Sequence, residues 1–211
     1  MDKIDFLKEE KEPVRKVKVK KVKVRNFREI DRQLDELSRI YIGKSIFKRE
    51  KKWRLSDKRK IEFEKELNKE IERAKRYKEK LIVSALDIDD FKRINNEWGI
   101  KGGDFVLKTI SETIEKNKRP YDLLFRYKND EFILILINVK EKQGVRIIKR
   151  IQNAINNKKI IFNNSEKNIT ISAGIFAFNG KDEVNAFELV KFAEKALQKA
   201  KKFGRNQVTL Y

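Results

Sequence analysis

The sequence predicts an α/β (α+β) domain in which helices cover a central, mostly antiparallel sheet, preceded by a basic N-terminal extension. Three observations predict it. Apolar runs of strand length, "LIVSALD" (81–87), "EFILILIN" (131–138) and "NITISAGIFAF" (168–178), alternate with longer segments. Those longer segments each carry one apolar face at helical spacing. Two apolar runs, "YDLLFRY" (121–127) and "FILILIN" (132–138), flank the polar residues Lys128, Asn129, Asp130 and Glu131, which is the pattern of a hairpin. Segments of this kind in this order build a layer of helices on a sheet.

In chain order, "VRKVKVKKVKV" (14–24) alternates valine with lysine and reads as a strand with one apolar face, broken in phase by a doubled lysine. "REIDRQLDELSRIY" follows, with Ile30, Leu34, Leu37 and Tyr41 forming a narrow helical seam. That seam suits packing within its own domain or pairing with a second copy of the chain. These elements make up an extension over 1–52, and the rest, 53–211, reads as one domain. "DKRKIEFEKELNKEIERAKRYKEK" is a charged amphipathic helix, and "LIVSALD" is a buried strand. "GDFVLKTISETIEKN" is a helix with Val106, Leu107, Ile110 and Ile114 on one face. After the hairpin, "KQGVRIIKRIQNAINN" aligns Ile148, Ile151 and Ile155 on a helix. A strand follows at "NITISAGIFAF". The helix "NAFELVKFAEKALQKAKK" turns Val190, Ala193, Leu197 and Ala200 inward, and "NQVTLY" closes the chain as a strand.

Composition removes several chemistries. The 211 residues contain no cysteine and no histidine. Disulfides, thiolate catalysis, serine–histidine triads and histidine metal sites are therefore excluded. Any metal must be a hard cation on carboxylates, which points to Mg²⁺ (or Mn²⁺). The formal charge of +20 attracts polyanions such as nucleotides, nucleic acid or acidic membrane. No apolar run is long enough to span a bilayer, and no secretory leader is visible, so a cytoplasmic location is expected. The abundance of charge, rich in Lys and Glu, fits a thermophile proteome.

The candidate site lies at strand ends. "LDIDDFKRIN" puts Asp87, Asp89 and Asp90 at the end of a buried strand. Strand alternation turns Asp87 and Asp89 one way and Asp90 the other. Asp130 and Glu131 lie at the hairpin tip. If the two strands are neighbours, Asp87 and the hairpin acids converge, and converging carboxylates repel unless a cation joins them. Two divalent ions about 4 Å apart would serve in-line phosphoryl chemistry.

"LDIDDFKRINNEWGIKGGD", "RPYDLLFRYKNDEF" and "AEKALQKAKKFGRNQV" together resemble the three signature regions of the GGDEF family, the diguanylate cyclases, in order and spacing over residues 54–211. The resemblance implies a polymerase-palm-like, nucleotidyl-cyclase fold. Two such domains, each holding one GTP, would face each other as a homodimer and form cyclic di-GMP with release of pyrophosphate. It implies metal binding by Asp87, the Ile88 carbonyl, Asp130 and Glu131, with Glu131 also a candidate for activating the attacking hydroxyl. Phe91 and Lys92 match the family's "FK", whose lysine touches phosphate. Asn95 and Asp104 match its guanine-reading pair, and Lys201 and Arg205 its triphosphate-neutralising residues. Arg119 and Asp122, in "RPYD", match the RxxD motif that binds cyclic di-GMP and limits synthesis.

The sequence departs from the family pattern at the turn, where Lys128 and Asn129 replace two glycines. A two-residue type I′ turn needs positive φ at both central residues, which costs a lysine roughly 1 kcal/mol. The lysine would either crowd the triphosphate or contact it. Asn96, Ile100 and Gln198 also replace residues common in the family, and none removes a proposed ligand. Besides an active cyclase, two readings are open: a degenerate domain binding GTP or cyclic di-GMP as a regulatory module, and a nucleic-acid-associated protein. The last ranks lowest, because the lysine–valine strand fits a solvated edge and lacks interleaved aromatics.

Overall fold

The computed structural model describes residues 57–211. The expected lysine–valine strand, the helical seam at Ile30–Tyr41 and the extension 1–52 lie outside the described residues. Helix α1 (Asp57–Tyr77) leads into β1 (Leu81–Ile88), α2 (Phe91–Asn117), β2 (Leu123–Arg126) and β3 (Glu131–Ile137). Then come α3 (Glu141–Asn156), β4 (Lys159–Phe162), β5 (Ser165–Asn168), β6 (Ile171–Phe178), α4 (Ala186–Lys202) and β7 (Val208–Leu210). Five strands form one sheet in the order β2-β3-β1-β6-β7. All its pairings are antiparallel except β6 with β7. This is the predicted architecture.

Strand alternation explains how one sheet feeds two cores. On β1 and β3, Ile82, Leu86, Phe132, Leu134 and Leu136 pack toward α2 and α3, against residues such as Ile110, Ile114, Ile148 and Ile151. The intervening residues Leu81, Val83, Ala85, Ile133 and Ile135 pack toward α1 and α4, against Phe63, Leu67, Val190 and Leu197. Both strands are buried on both faces, which is why each reads as a continuous apolar run. The apolar faces read from the sequence in α2, α3 and α4 are the buried ones.

One element has no counterpart in the sequence reading. β4 and β5 form a separate two-stranded hairpin, with Phe162 paired to Ser165 across Asn163 and Asn164. Both asparagines have positive φ, 48° and 61°, as a type I′ turn requires. The hairpin docks on α2 through aromatic rings, with Phe162 lying 5.7 Å from Trp98 and 5.6 Å from Phe105. The Trp98 indole N–H donates to Ser165 Oγ at 3.1 Å.

Candidate active site

The register of the central strands brings the acids together. Asp87 is the β-ladder partner of Glu131, and Ile88 N–H donates to Asp130 O at 3.3 Å. Asp87 follows Leu81, Val83 and Ala85 in the alternation, and Glu131 precedes Ile133 and Ile135. Both carboxylates therefore belong to the face covered by α4. That helix supplies Lys201, whose Nζ lies 2.7 Å from Asp87 Oδ1, and Glu194, which pairs with Lys128. Lys128 Nζ also lies 3.4 Å from Glu131 Oε2. Glu131 Oε1 is buried and has no hydrogen-bond partner among the described residues.

Neither Lys128 nor Asn129 has positive φ, so the strain expected at the substituted turn is absent. The reason is the length of the connection. The β2–β3 ladder stops at Arg126↔Phe132, and the N–H groups of Tyr127 and Lys128 both donate to Glu131 O, at 2.9 and 3.2 Å. Residues 127–131 thus form a wider loop than a two-residue turn. Arg126 closes it, donating from Nε and Nη2 to Asn129 O at 3.1 and 2.7 Å. The lysine ammonium is directed to Glu131 and Glu194.

The alternation expected beyond Asp87 stops with the strand at Ile88. Asp89 is buried and accepts from Thr170 Oγ1 and Ser172 Oγ, both at 2.7 Å, and from Asn206 N–H at 3.0 Å. It ties β1 to β6 and to the turn after α4. Asp90 is half-exposed, takes φ of 53° and starts α2. Its Oδ1 lies 3.5 Å from Arg205 Nε. Gly204, Arg205 and Asn206 all have positive φ, which reverses the chain after α4 and places Arg205 beside Asp90.

On the other face of the sheet, α2 is bent at Gly99 (φ 70°, ψ 179°), so its first turns fold against its later ones. A Cβ at Gly103 would lie 1.9 Å from Asn95 Oδ1, so only glycine lets Asn95 approach the backbone next to Asp104. Asp104 lines a groove of about 390 Å³ with Leu107, Lys108, Ser111, Glu112, Arg126 and Phe132. Phe91 is buried and Lys92 exposed in the first turn of α2. Sequence reasoning missed Glu194, Arg126 and the apolar floor of Leu107 and Phe132. Phe132, next to Glu131 on a strand, was the available signal, because alternation must send it to the opposite face.

Arg119 and Asp122 lie between α2 and β2. Asp122 is only 1% exposed, and its two oxygens accept from Arg119 N–H (3.0 Å) and Ile137 N–H (3.1 Å). That carboxylate fastens the start of β2 to the end of β3, a structural task beside the ligand contact that the RxxD resemblance implies for it. Arg119 donates from Nη1 to the hydroxyl of exposed Tyr121 at 3.1 Å.

Burial raises both central acids. It pushes Asp87 up to about 6 despite Lys201, with Asp130 and Asp89 adding to the rise. It likewise pushes Glu131 up to about 7 against the pull of Lys128, with help from Glu194 and Asp87. The folded chain therefore holds protons that the unfolded chain has released, and stability from these groups is lost as pH rises through about 6 to 7. Glu131→Gln removes the ionisable group at its site. In buffer free of divalent cations it should melt about 5 °C above wild type near pH 8 and no higher near pH 5, as read by circular dichroism. An equal offset at both pH values would contradict the assignment.

The donor set is all hard oxygen, which suits Mg²⁺ or Mn²⁺, and the unpartnered Glu131 Oε1 is a buried acceptor suited to a cation. Among the described residues no three His, Cys, Asp or Glu side chains group into a metal cage. A cation that completes its shell with water and phosphate oxygens does not need one.

The sequence pattern described as "Diguanylate cyclase, GGDEF domain" matches residues 58–207. The chain belongs to the GGDEF family. Diguanylate cyclase A of Treponema denticola is 37% identical over 133 residues, which are 63% of this chain and 36% of that protein. Diguanylate cyclase DosC of Escherichia coli K12 is 36% identical over 144 residues, 68% of this chain and 31% of DosC. This GGDEF chain thus spans about a third of the length of these relatives. Among solved structures, the GGDEF domain of DgcB from Caulobacter crescentus in complex with c-di-GMP is 26% identical with a TM-score of 0.67, covering 70% of this chain and 87% of that one. The active GGEEF domain of a diguanylate cyclase from Vibrio cholerae is 25% identical with a TM-score of 0.66, covering 71% and 94%. The fold is therefore the GGDEF fold, with the acid pair on one side of the sheet and the Asp104 groove on the other. No helix among the described residues is long and apolar enough to cross a membrane.

Proposed function

We propose that the chain is a magnesium-dependent diguanylate cyclase that condenses two GTP into cyclic di-GMP across a homodimer, in the cytoplasm where GTP is abundant. The observation that carries this reading is the pairing of Asp87 with Glu131 under Lys201, at the same end of the sheet as the Asp104 groove. In the reaction, the 3′-hydroxyl of each GTP attacks the α-phosphorus of the other. Each attack forms one P–O bond, breaks the α–β phosphoanhydride and releases pyrophosphate, and the hydroxyl proton passes to a base. Glu131, buried and raised to about 7, is suited to accept that proton near neutral pH. Asp87, the Ile88 carbonyl, Asp130 and Glu131 would hold Mg²⁺ (or Mn²⁺), which when bound neutralises triphosphate charge. Lys201 exchanges its Asp87 partner for phosphate, and Lys92 and Arg205 add positive charge beside it. Asn95 and Asp104 read guanine, with Leu107 and Phe132 as the apolar floor.

The deciding experiment incubates the protein with GTP and Mg²⁺ and assays cyclic di-GMP by mass. No product at high protein concentration would sink the proposal. Because one domain holds one nucleotide, specific activity should rise with protein concentration in the dilute range. Asp104 supplies a carboxylate that can accept from guanine N1–H and the exocyclic amine together, which adenine cannot match. Asp104→Ala should cut the preference for GTP over ATP by about tenfold to a hundredfold in competition binding, and unchanged selectivity would refute the assignment.

The contact of Lys128 with Glu131 favours a second reading, a regulatory domain that binds GTP or cyclic di-GMP without turnover. It predicts nucleotide binding by calorimetry with no product formed. In either case an inhibitory site at the RPYD segment rests on exposed Arg119, with Asp122 fixing the backbone beneath it. Arg119→Ala should weaken cyclic di-GMP binding at least about tenfold, and unaltered affinity would remove that site.

A further inference from the structure

Four acids meet at this end of the molecule: Asp87, Asp130, Glu131 and Glu194. Two lysines meet them, and the two are held differently. Among the described residues Lys201 has one carboxylate partner, Asp87, and it comes from the last turn of α4. A triphosphate can draw it away at the cost of one ion pair. Lys128 has a closed seat. Its ammonium bonds Glu194, lies 3.4 Å from Glu131 Oε2 and sits 5.2 Å from the centroid of the Tyr127 ring. Its backbone is fixed as well, since its own N–H donates to Glu131 O at 3.2 Å. Moving this ammonium breaks two carboxylate contacts and one ring contact at once.

We infer that Lys128 is a resident cation that neutralises Glu131 and Glu194 from within the chain, so that each bound GTP brings one divalent ion instead of two. The inference rests on the cyclase reading above. The single ion would be held from the side of Asp87, the ladder partner of Glu131, with Asp130 near enough to raise the Asp87 carboxyl. Glu131 can offer that ion only Oε1, because Oε2 faces the ammonium. A second ion at Glu131 and Glu194 would have to share their oxygens with a positive charge already in contact with both, and like charges at that separation repel. The ammonium also holds the Glu131 carboxylate by Oε2, leaving Oε1 as its buried, unpartnered oxygen among the described residues. Lys128 is thus a positioning residue, acting through Glu131.

The test counts ions directly. Full-length protein, in excess over guanosine 5′-(α,β-methylene)triphosphate, is titrated with Mn²⁺, and free Mn²⁺ is followed by electron paramagnetic resonance. Wild type should take up about one Mn²⁺ per bound nucleotide, and Lys128→Met and Lys128→Gly about two. Lys128→Arg should stay near one. Lys128→Met keeps the length of the side chain, so the comparison survives if the glycine variant folds poorly. Two ions in wild type, or the same count in wild type and Lys128→Met, would overturn the inference while leaving the cyclase reading intact. Failure of every variant to bind nucleotide would overturn both.

Discussion

Asp87→Asn should lower cyclic di-GMP formation by at least about a thousandfold while leaving the fold in place. Asparagine keeps the shape of the side chain at the end of β1 and the ladder pairing with Glu131. What it removes is a charge, and in the proposed cyclase that charge would hold the ion beneath the triphosphate. The stability side of the prediction follows from burial. Asp87 is 8% exposed, and its carboxyl is raised to about 6, so near pH 8 the folded state carries an ionised group it would hold more easily neutral. Losing that charge should not destabilise the protein, and the melting temperature near pH 8 should stay level or rise by a few degrees. Lys201, partly exposed, can turn to solvent when its partner is gone. Product assayed by mass and melting followed by circular dichroism separate the two effects. Turnover within tenfold of wild type would remove Asp87 from the ion site, and a collapsed fold would mean that its role is structural.

Gly174→Ala should cost about 4 kcal/mol and lower the melting temperature by about 10 °C. Gly174 lies in the middle of β6, where α4 crosses. A Cβ there would lie 2.0 Å from Leu197 N, 2.2 Å from Ala193 O and 2.7 Å from Ala196 C. All three are backbone atoms of α4, so no rotamer change relieves the overlap, and the helix as a whole must move off the sheet. The same movement withdraws Glu194 and Lys201, which α4 carries to the acid pair. Activity should therefore fall together with stability, unlike in Asp87→Asn. A Gly174→Ala protein that melts within about 3 °C of wild type would show that the approach is looser than described.

These two sites differ in how far the sequence alone discloses them. Asp87 stands in a run of aspartates at a strand end, and the chemistry of crowded carboxylates singles it out. Gly174 stands in "ISAGIF", where nothing marks it, because the clash comes from residues about twenty positions later. The same division runs through the site. That Asp87 and Glu131 share a face follows from counting along two strands once they are neighbours. That Lys128 reaches Glu194 does not follow, since it depends on where α4 lies over β3. Asp122 is a further case. Its motif points to a ligand, while the structure spends both of its oxygens on backbone N–H groups.

Turn conformation shows the same limit from two directions. The positive-φ argument fails at Lys128 and Asn129 because the β2–β3 ladder ends early, and ladder length is not written in the turn residues. It holds at Asn163 and Asn164, within a hairpin too short and too charged for periodicity to reveal.

By itself, the sequence determined the order of the main elements, their buried faces and the family, and it excluded cysteine and histidine chemistry. The elements follow from local periodicity, the family from its three signature segments, and the exclusion from composition. Only the tertiary structure decided which lysine neutralises which acid, which aspartates are committed to the backbone, and where glycine is indispensable. Those depend on the approach of segments far apart along the chain, within a few ångströms, and no local pattern encodes that distance.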